Sequence, residues 1–227
     1  MYMNYYPFLL SNSLMKKILM HTLLLNIIFS TANIAYAHGK LEVICGPMFA
    51  GKSEELIRRV FRAYIAQQTV LVVKPAIDTR SAHNVITSHS GKTYHAHTIS
   101  TPQELLDLVE KGHPTEGDYH VIAIDEAQFF SQDIMPVIRT LIAQGKRVII
   151  AGLDLDHRSE PFGPIPQILA LADSITKLQA ICILCGQDAY RSQRIINGQP
   201  ARYDDPIIMI GAEESYQPRC KNCFKIE

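Results

Sequence analysis

The chain has 227 residues, 47 % of them hydrophobic and 19 % charged. That excludes a disordered chain and allows one sizeable α/β domain plus a small appendage, with a core that needs no disulfides. Lys+Arg and Asp+Glu both number 22, whereas a sequence-independent nucleic-acid binder carries a basic excess because phosphate contacts dominate its affinity.

Residues 1–38 stand apart. Lys16-Lys17 precedes an apolar run from Ile18 to Phe29, and Ala35-Tyr36-Ala37 follows. This is the layout of a secretory signal peptide, too short and interrupted for a membrane span. The alternative is a translated stretch ahead of the true start. We favour it because the remaining chain needs cytosolic ATP, and either way these residues lie outside the fold.

From Lys40 strands and helices alternate. Leu41–Cys45 reads as a short strand ending at Gly46, with Cys45 a small buried residue at its end. A helix follows from Ser53 to about Gln67, with Leu56, Ile57, Val60 and Tyr64 at helical spacing. Thr69–Val73 is almost wholly apolar, as a parallel strand buried on both faces requires. Residues 78–97 are polar and read as a short hairpin or an open loop. Thr101-Pro102 opens a helix as cap and first helical residue. Then come a buried strand at His120–Ile124, a helix capped by Ser131 and running to about Gln144, and a strand at Arg147–Gly152. A helix near Pro166–Ala172 and a strand near Ser174–Ile181 complete the run. Strands separated by helices predict βαβ units and a mainly parallel sheet over residues 39–181. Residues 182–227 change character and read as a small metal-binding subdomain.

Three motifs carry chemistry. Gly46-Pro47-Met48-Phe49-Ala50-Gly51-Lys52-Ser53 matches the Walker A pattern in the required place, after a strand and opening a helix. Its glycines let backbone amides converge on phosphate oxygens, Lys52 supplies a cation for the β- and γ-phosphates of ATP, and Ser53 offers a hydroxyl to Mg²⁺. Asp125-Glu126-Ala127-Gln128 follows a buried strand. Asp125 fits a Walker B acid, and Glu126 is then placed to accept a proton or orient water. Cys182-x-x-Cys185 and Cys220-x-x-Cys223, 34 residues apart, form two knuckles suited to a closed tetrahedral structural Zn²⁺ at the base of a long loop.

Together these motifs resemble the type II, cytosolic-type thymidine kinases. The phosphate loop resembles that family's nearly residue for residue. So do Lys74-Pro75-x-x-Asp78-x-Arg80, Ser88-His89-x-Gly91, Asp125-Glu126-Ala127-Gln128-Phe129-Phe130, Gly152-Leu153-Asp154 with Pro161-Phe162-Gly163, and the knuckles around Gly211-x-x-x-x-Tyr216. The resemblance spans about residues 39–224. It implies transfer of the γ-phosphoryl group of ATP to the 5′-hydroxyl of thymidine, giving dTMP for nucleotide salvage, with Glu126 as base and Mg²⁺ as cofactor. It implies a zinc-pinned lasso, about residues 186–219, that closes over the base and reads it largely through backbone groups. It puts Gly46–Ser53, Arg80 and Asp125–Gln128 at the ATP and Mg²⁺ site, with no role assigned to Arg80. It puts Met48, Phe129 and Tyr216 in the nucleoside pocket. It also implies a cytoplasmic homotetramer inhibited by its triphosphate end product, with neither nucleic acid nor membrane as partner.

Two departures stand out. After Asp154-Leu155-Asp156 the family usually has an aromatic, and this chain has His157, which stacks more weakly on a base and titrates. The leader has no counterpart. Among other residues, Arg58, Arg59 and Arg62 read as a solvated helix face, and His95 and His97 as surface. A triphosphate contact from Arg191 or Arg194 stays open. The rival reading is a zinc-containing, nucleic-acid-dependent P-loop ATPase. A helicase needs two ATPase lobes, and residues 182–227, with six Lys+Arg and six Asp+Glu, form no basic patch.

Overall fold

In the computed structural model, residues 39–78, 84–87, 91–208 and 214–226 are described. The leader 1–38, Arg80, Ser88, His89 and Gly211 lie outside them. The elements in chain order are β1 (Lys40–Cys45), α1 (Lys52–Ile65), β2 (Val70–Pro75), β3 (Val85–Thr87), β4 (Thr93–His95), β5 (His97–Ile99), α2 (Pro102–Lys111), β6 (Val121–Ile124), α3 (Ile134–Ala143), β7 (Arg147–Gly152), α4 (Ile165–Leu171), β8 (Ser174–Lys177), β9 (Ala180–Ile181), β10 (Asp188–Ala189), β11 (Arg191–Ile196), β12 (Gln199–Pro200) and β13 (Glu214–Arg219).

Six strands pair in the order β5-β2-β6-β7-β1-β8, every neighbour parallel. Alternation along β1 explains how both faces are covered. Leu41, Val43 and Cys45 point to a core completed by α2, α3 and α4. Ile44 points to the opposite core, completed by α1 through Leu56, Ile57, Val60 and Ala63. Each Leu, Ile or Val among them contributes about 1.5–3 kcal/mol by leaving water, so a parallel sheet clad on both sides is what these apolar runs can stabilise.

Several expectations shift. On α1 the buried stripe ends on Ala63, and Tyr64 turns out to solvent at 64 % exposure. Residues 78–97 do hold the short hairpin expected of them, and their last residue, His97, opens a further strand. β3 pairs with β4 in a hairpin, while β5 joins the main sheet beside β2. Ser131 is not a helix cap. The chain first makes a 3₁₀ turn at Ala127–Phe129, and the hydroxyl of Ser131 donates to Asp133, which precedes the first turn of α3. The strand expected over 174–181 divides. β8 closes the sheet edge, the amide of Leu178 donates to the Cys45 carbonyl at 2.8 Å, and β9 leaves to pair with β10.

Arg59 does not lie on a solvated face. It reaches under α1 to Glu42, at 2.9 Å, and to Thr176, at 2.8 Å. Arg147 binds the same carboxylate at 2.8 and 3.1 Å. Burial raises the pKa of Glu42, but Arg147 and Lys40 more than offset it and hold the carboxyl down at about 2. The smaller elements form a three-stranded antiparallel sheet, β12-β11-β13, beside the β9–β10 pair. Among the described residues no helix is long and apolar enough to cross a membrane.

Candidate active site

The phosphate loop emerges from the carboxyl end of β1, where parallel α/β sheets bind ligands. Gly46 sits at φ 137°, and a Cβ there would lie 2.4 Å from the Leu178 carbonyl oxygen, so only glycine lets the loop leave the strand at this angle. Gly51, left-handed at φ 83°, precedes α1 and places no cap side chain over its first-turn amides. That end of a fourteen-residue helix therefore faces the loop with its partial positive charge. Lys52 is buried, and its ammonium donates to the Pro47 carbonyl at 2.8 Å, holding the loop curled. Phe49 takes a strained left-handed φ of 67°, and Ala50 packs against the cysteine cluster.

β6 delivers the acids. Ser53 lies near enough to Asp125 to lower its pKa, so the two residues expected to hold Mg²⁺ are neighbours. Burial, and then the charge of Glu126, raise the Asp125 pKa. A carboxylate so placed beside a hydroxyl is an oxygen donor set that suits a hard divalent cation. Glu126 is buried and left-handed, at φ 52° and ψ 39°, a conformation that costs about 1 kcal/mol or more. Its amide donates to Asp125 Oδ1 at 3.0 Å. Gln128 Nε2 donates to Glu126 Oε2, and Gln128 Oε1 accepts from the Leu153 amide at 2.9 Å.

Sequence reasoning placed Gln128 with the ATP ligands. The structure uses its side chain as a brace between Glu126 and the end of β7. Gly163 serves that brace, since at φ 52° a Cβ there would lie 2.3 Å from the Gln128 carbonyl oxygen. Ala127 turns wholly into the core. Phe129 packs edge-on against Phe162, ring centroids 5.7 Å apart.

Two of the expected nucleoside residues, Met48 and Tyr216, are held by β11. The Met48 amide donates to Ser192 Oγ at 2.9 Å. Tyr216 lies opposite Arg194 in the β11–β13 register, and Arg194 Nε donates to its hydroxyl at 2.9 Å. His157 is buried, with no well-formed hydrogen bond to either ring nitrogen. Its pKa is lowered by burial and then by the charge of Arg194; Asp156 and the Arg202 carbonyl oppose this. Asp156 is occupied locally, accepting from the amides of Arg158 and Glu160. Asp154 binds Lys177 at 2.8 Å. Ser192 and Lys177 were missed by sequence reasoning, because nothing in their own neighbourhood signals contacts made across the fold.

The four cysteines come together as expected. Cys182 follows β9 and Cys220 follows β13, and tight turns bring in Cys185 and Cys223. All four sulfurs lie within 4.8 Å of one another, with Cys185 and Cys220 at 3.6 Å, and none is in a disulfide. Four thiolates around a common centre at about 2.3 Å are the donor set of a structural zinc, and this cluster can hold one.

A family model described as thymidine kinase matches residues 39–224, running from the first residue before β1 to just past the last cysteine. That span includes the phosphate loop, the Asp125-Glu126 pair and both cysteine knuckles, and the chain belongs to the thymidine kinase family.

Proposed function

We propose that this enzyme transfers the γ-phosphoryl group of ATP to the 5′-hydroxyl of thymidine, giving dTMP. One observation supports this above others. Within a thymidine kinase family chain, Ser53 of the phosphate loop lies beside Asp125, and Gln128 holds the adjacent Glu126.

In this reading the loop amides and Lys52 hold the β- and γ-phosphates, and Asp125 with Ser53 would hold Mg²⁺. The ion, when bound, neutralises phosphate charge. Glu126 accepts the proton of the attacking hydroxyl, a role worth about 10²–10⁴-fold. Met48, Phe129, His157 and Tyr216 line the nucleoside pocket, and Arg80 belongs to the nucleotide side. Residues 39–181 form the kinase domain, and residues 182–227 form the zinc-pinned lasso subdomain that closes on the base. The enzyme works as a cytoplasmic homotetramer.

The family match favours nucleoside phosphorylation over a nucleic-acid-dependent ATPase. A phosphate-transfer assay across a nucleoside panel with ATP and Mg²⁺ tests the proposal. Thymidine should be the preferred acceptor; ATP turnover stimulated by DNA and not by thymidine would overturn it.

A further inference from the structure

Arg194 is among the largest fully buried side chains in the protein, only 1 % exposed. Burying a guanidinium is costly unless its donors are used. Nε donates to the Tyr216 hydroxyl at 2.9 Å, Nη1 to the Pro206 carbonyl at 2.5 Å, and Nη2 to the Ile207 carbonyl at 2.5 Å. The last two acceptors are consecutive residues of a stretch without regular secondary structure. The Arg194 backbone holds the same limb, its carbonyl accepting from the Ala201 amide at 3.0 Å. A planar fork of N–H groups can span two neighbouring carbonyls in one plane, which an ammonium cannot.

Strand geometry gives this clamp its consequence. Ser192 and Arg194 are two apart on β11 and therefore share a face. Ser192 holds the phosphate loop through Met48, and Arg194 holds the lasso limb at 206–207. One strand face thus fixes the distance between the two.

We infer that Arg194 is a positioning residue that holds the limb at Pro206 and Ile207 in place relative to the phosphate loop, so that it sets thymidine affinity without touching either substrate. The inference rests on the lasso reading proposed above. For Arg194 it also bears on the triphosphate contact left open by the sequence, since its fork is turned to the carbonyls of Pro206 and Ile207.

The test compares the full-length, zinc-loaded wild-type enzyme with Arg194→Met and Arg194→Lys, the second keeping charge and stem if the first does not fold. KM for thymidine, KM for ATP, zinc content and limited proteolysis are measured on each. Thymidine KM should rise about tenfold or more, equivalent to about 1.4 kcal/mol, with ATP KM within about twofold and zinc retained. New cleavage should appear at 202–208 and be suppressed by saturating thymidine. Arg194→Lys should fall between wild type and Arg194→Met. An unmoved thymidine KM, or ATP KM and zinc content changing along with it, would overturn the inference. The cleavage pattern without nucleoside reads the clamp by itself. A wild-type enzyme inactive on thymidine, with the new cleavage still present, would fault the substrate reading; cleavage unchanged between wild type and variants would fault the clamp.

Discussion

Gln128 donates to the carboxylate of Glu126 and accepts from the Leu153 amide, so the proposed base is fixed to the end of β7 by the side chain two residues after it. This brace offsets the strain of a left-handed glutamate. Glu126→Gln should lower kcat by about 10²–10⁴-fold while ATP still binds. If Gln128 acts through Glu126, adding Gln128→Ala to Glu126→Gln should cost little further kcat, although Gln128→Ala alone slows the enzyme. Steady-state kinetics on the three variants checks this, and fully additive losses would separate the two residues.

The Glu42 network predicts acid sensitivity. Its carboxyl is held at about 2 in the fold against 4.5 when free. The stabilisation is therefore fully present above pH 4.5 and is lost as pH falls towards 2, amounting to at most about 3 kcal/mol. Glu42→Gln should lower stability at pH 7, and the gap from wild type should shrink by more than half at pH 3. Urea unfolding at the two pH values measures it; a gap independent of pH would mean that packing, not charge, is lost.

The core strands were legible because Val70–Val73 and Val148–Ile150 are apolar on both faces, and only a clad parallel strand wants that. The phosphate loop, the acid pair and the knuckles were legible because their chemistry needs fixed residues at short spacing. β5 was not, since His97-Thr98-Ile99 holds a single buried apolar residue and is kept by its neighbour β2. Nor was the turn after Glu126, which follows from Gln128 reaching β7. Arg59 and Arg194 looked like solvent or ligand residues because partners that hold them lie far along the chain, 17 and 117 positions from Arg59 and 12, 13 and 22 from Arg194.

His157 brings a second pH effect. Its folded pKa is lowered, by burial and then by Arg194, so the unfolded chain takes up the proton more readily. Stability should hold above about pH 6.5 and decline below it. His157→Phe removes both the titration and buried nitrogens that lack a well-formed hydrogen bond, a defect worth about 1–3 kcal/mol. It should raise the melting temperature, flatten the acid decline and lower the thymidine KM. Melts at pH 8 and pH 5.5 with matched kinetics test this. An unchanged KM would remove His157 from the nucleoside pocket.

The cysteine cluster touches the phosphate loop as well as anchoring the stretch between its two knuckles. Ala50, inside the phosphate loop, packs against the buried residues around Cys182 and Cys220, and Ser192, on β11 between the two cysteine knuckles, holds the Met48 amide. Metal loss should therefore disturb both substrates, because the binding energy of a structural zinc is folding energy for the segment it closes. Cys182→Ser or Cys223→Ser should strip the metal and raise KM for ATP together with KM for thymidine, unlike the selective effect expected at Arg194. Elemental analysis on zinc-replete preparations, paired with both KM values, decides it: metal retained in the serine variants would dismiss the four-thiolate site, and an ATP KM that stays put after metal loss would show that Ala50 needs no support from the cluster.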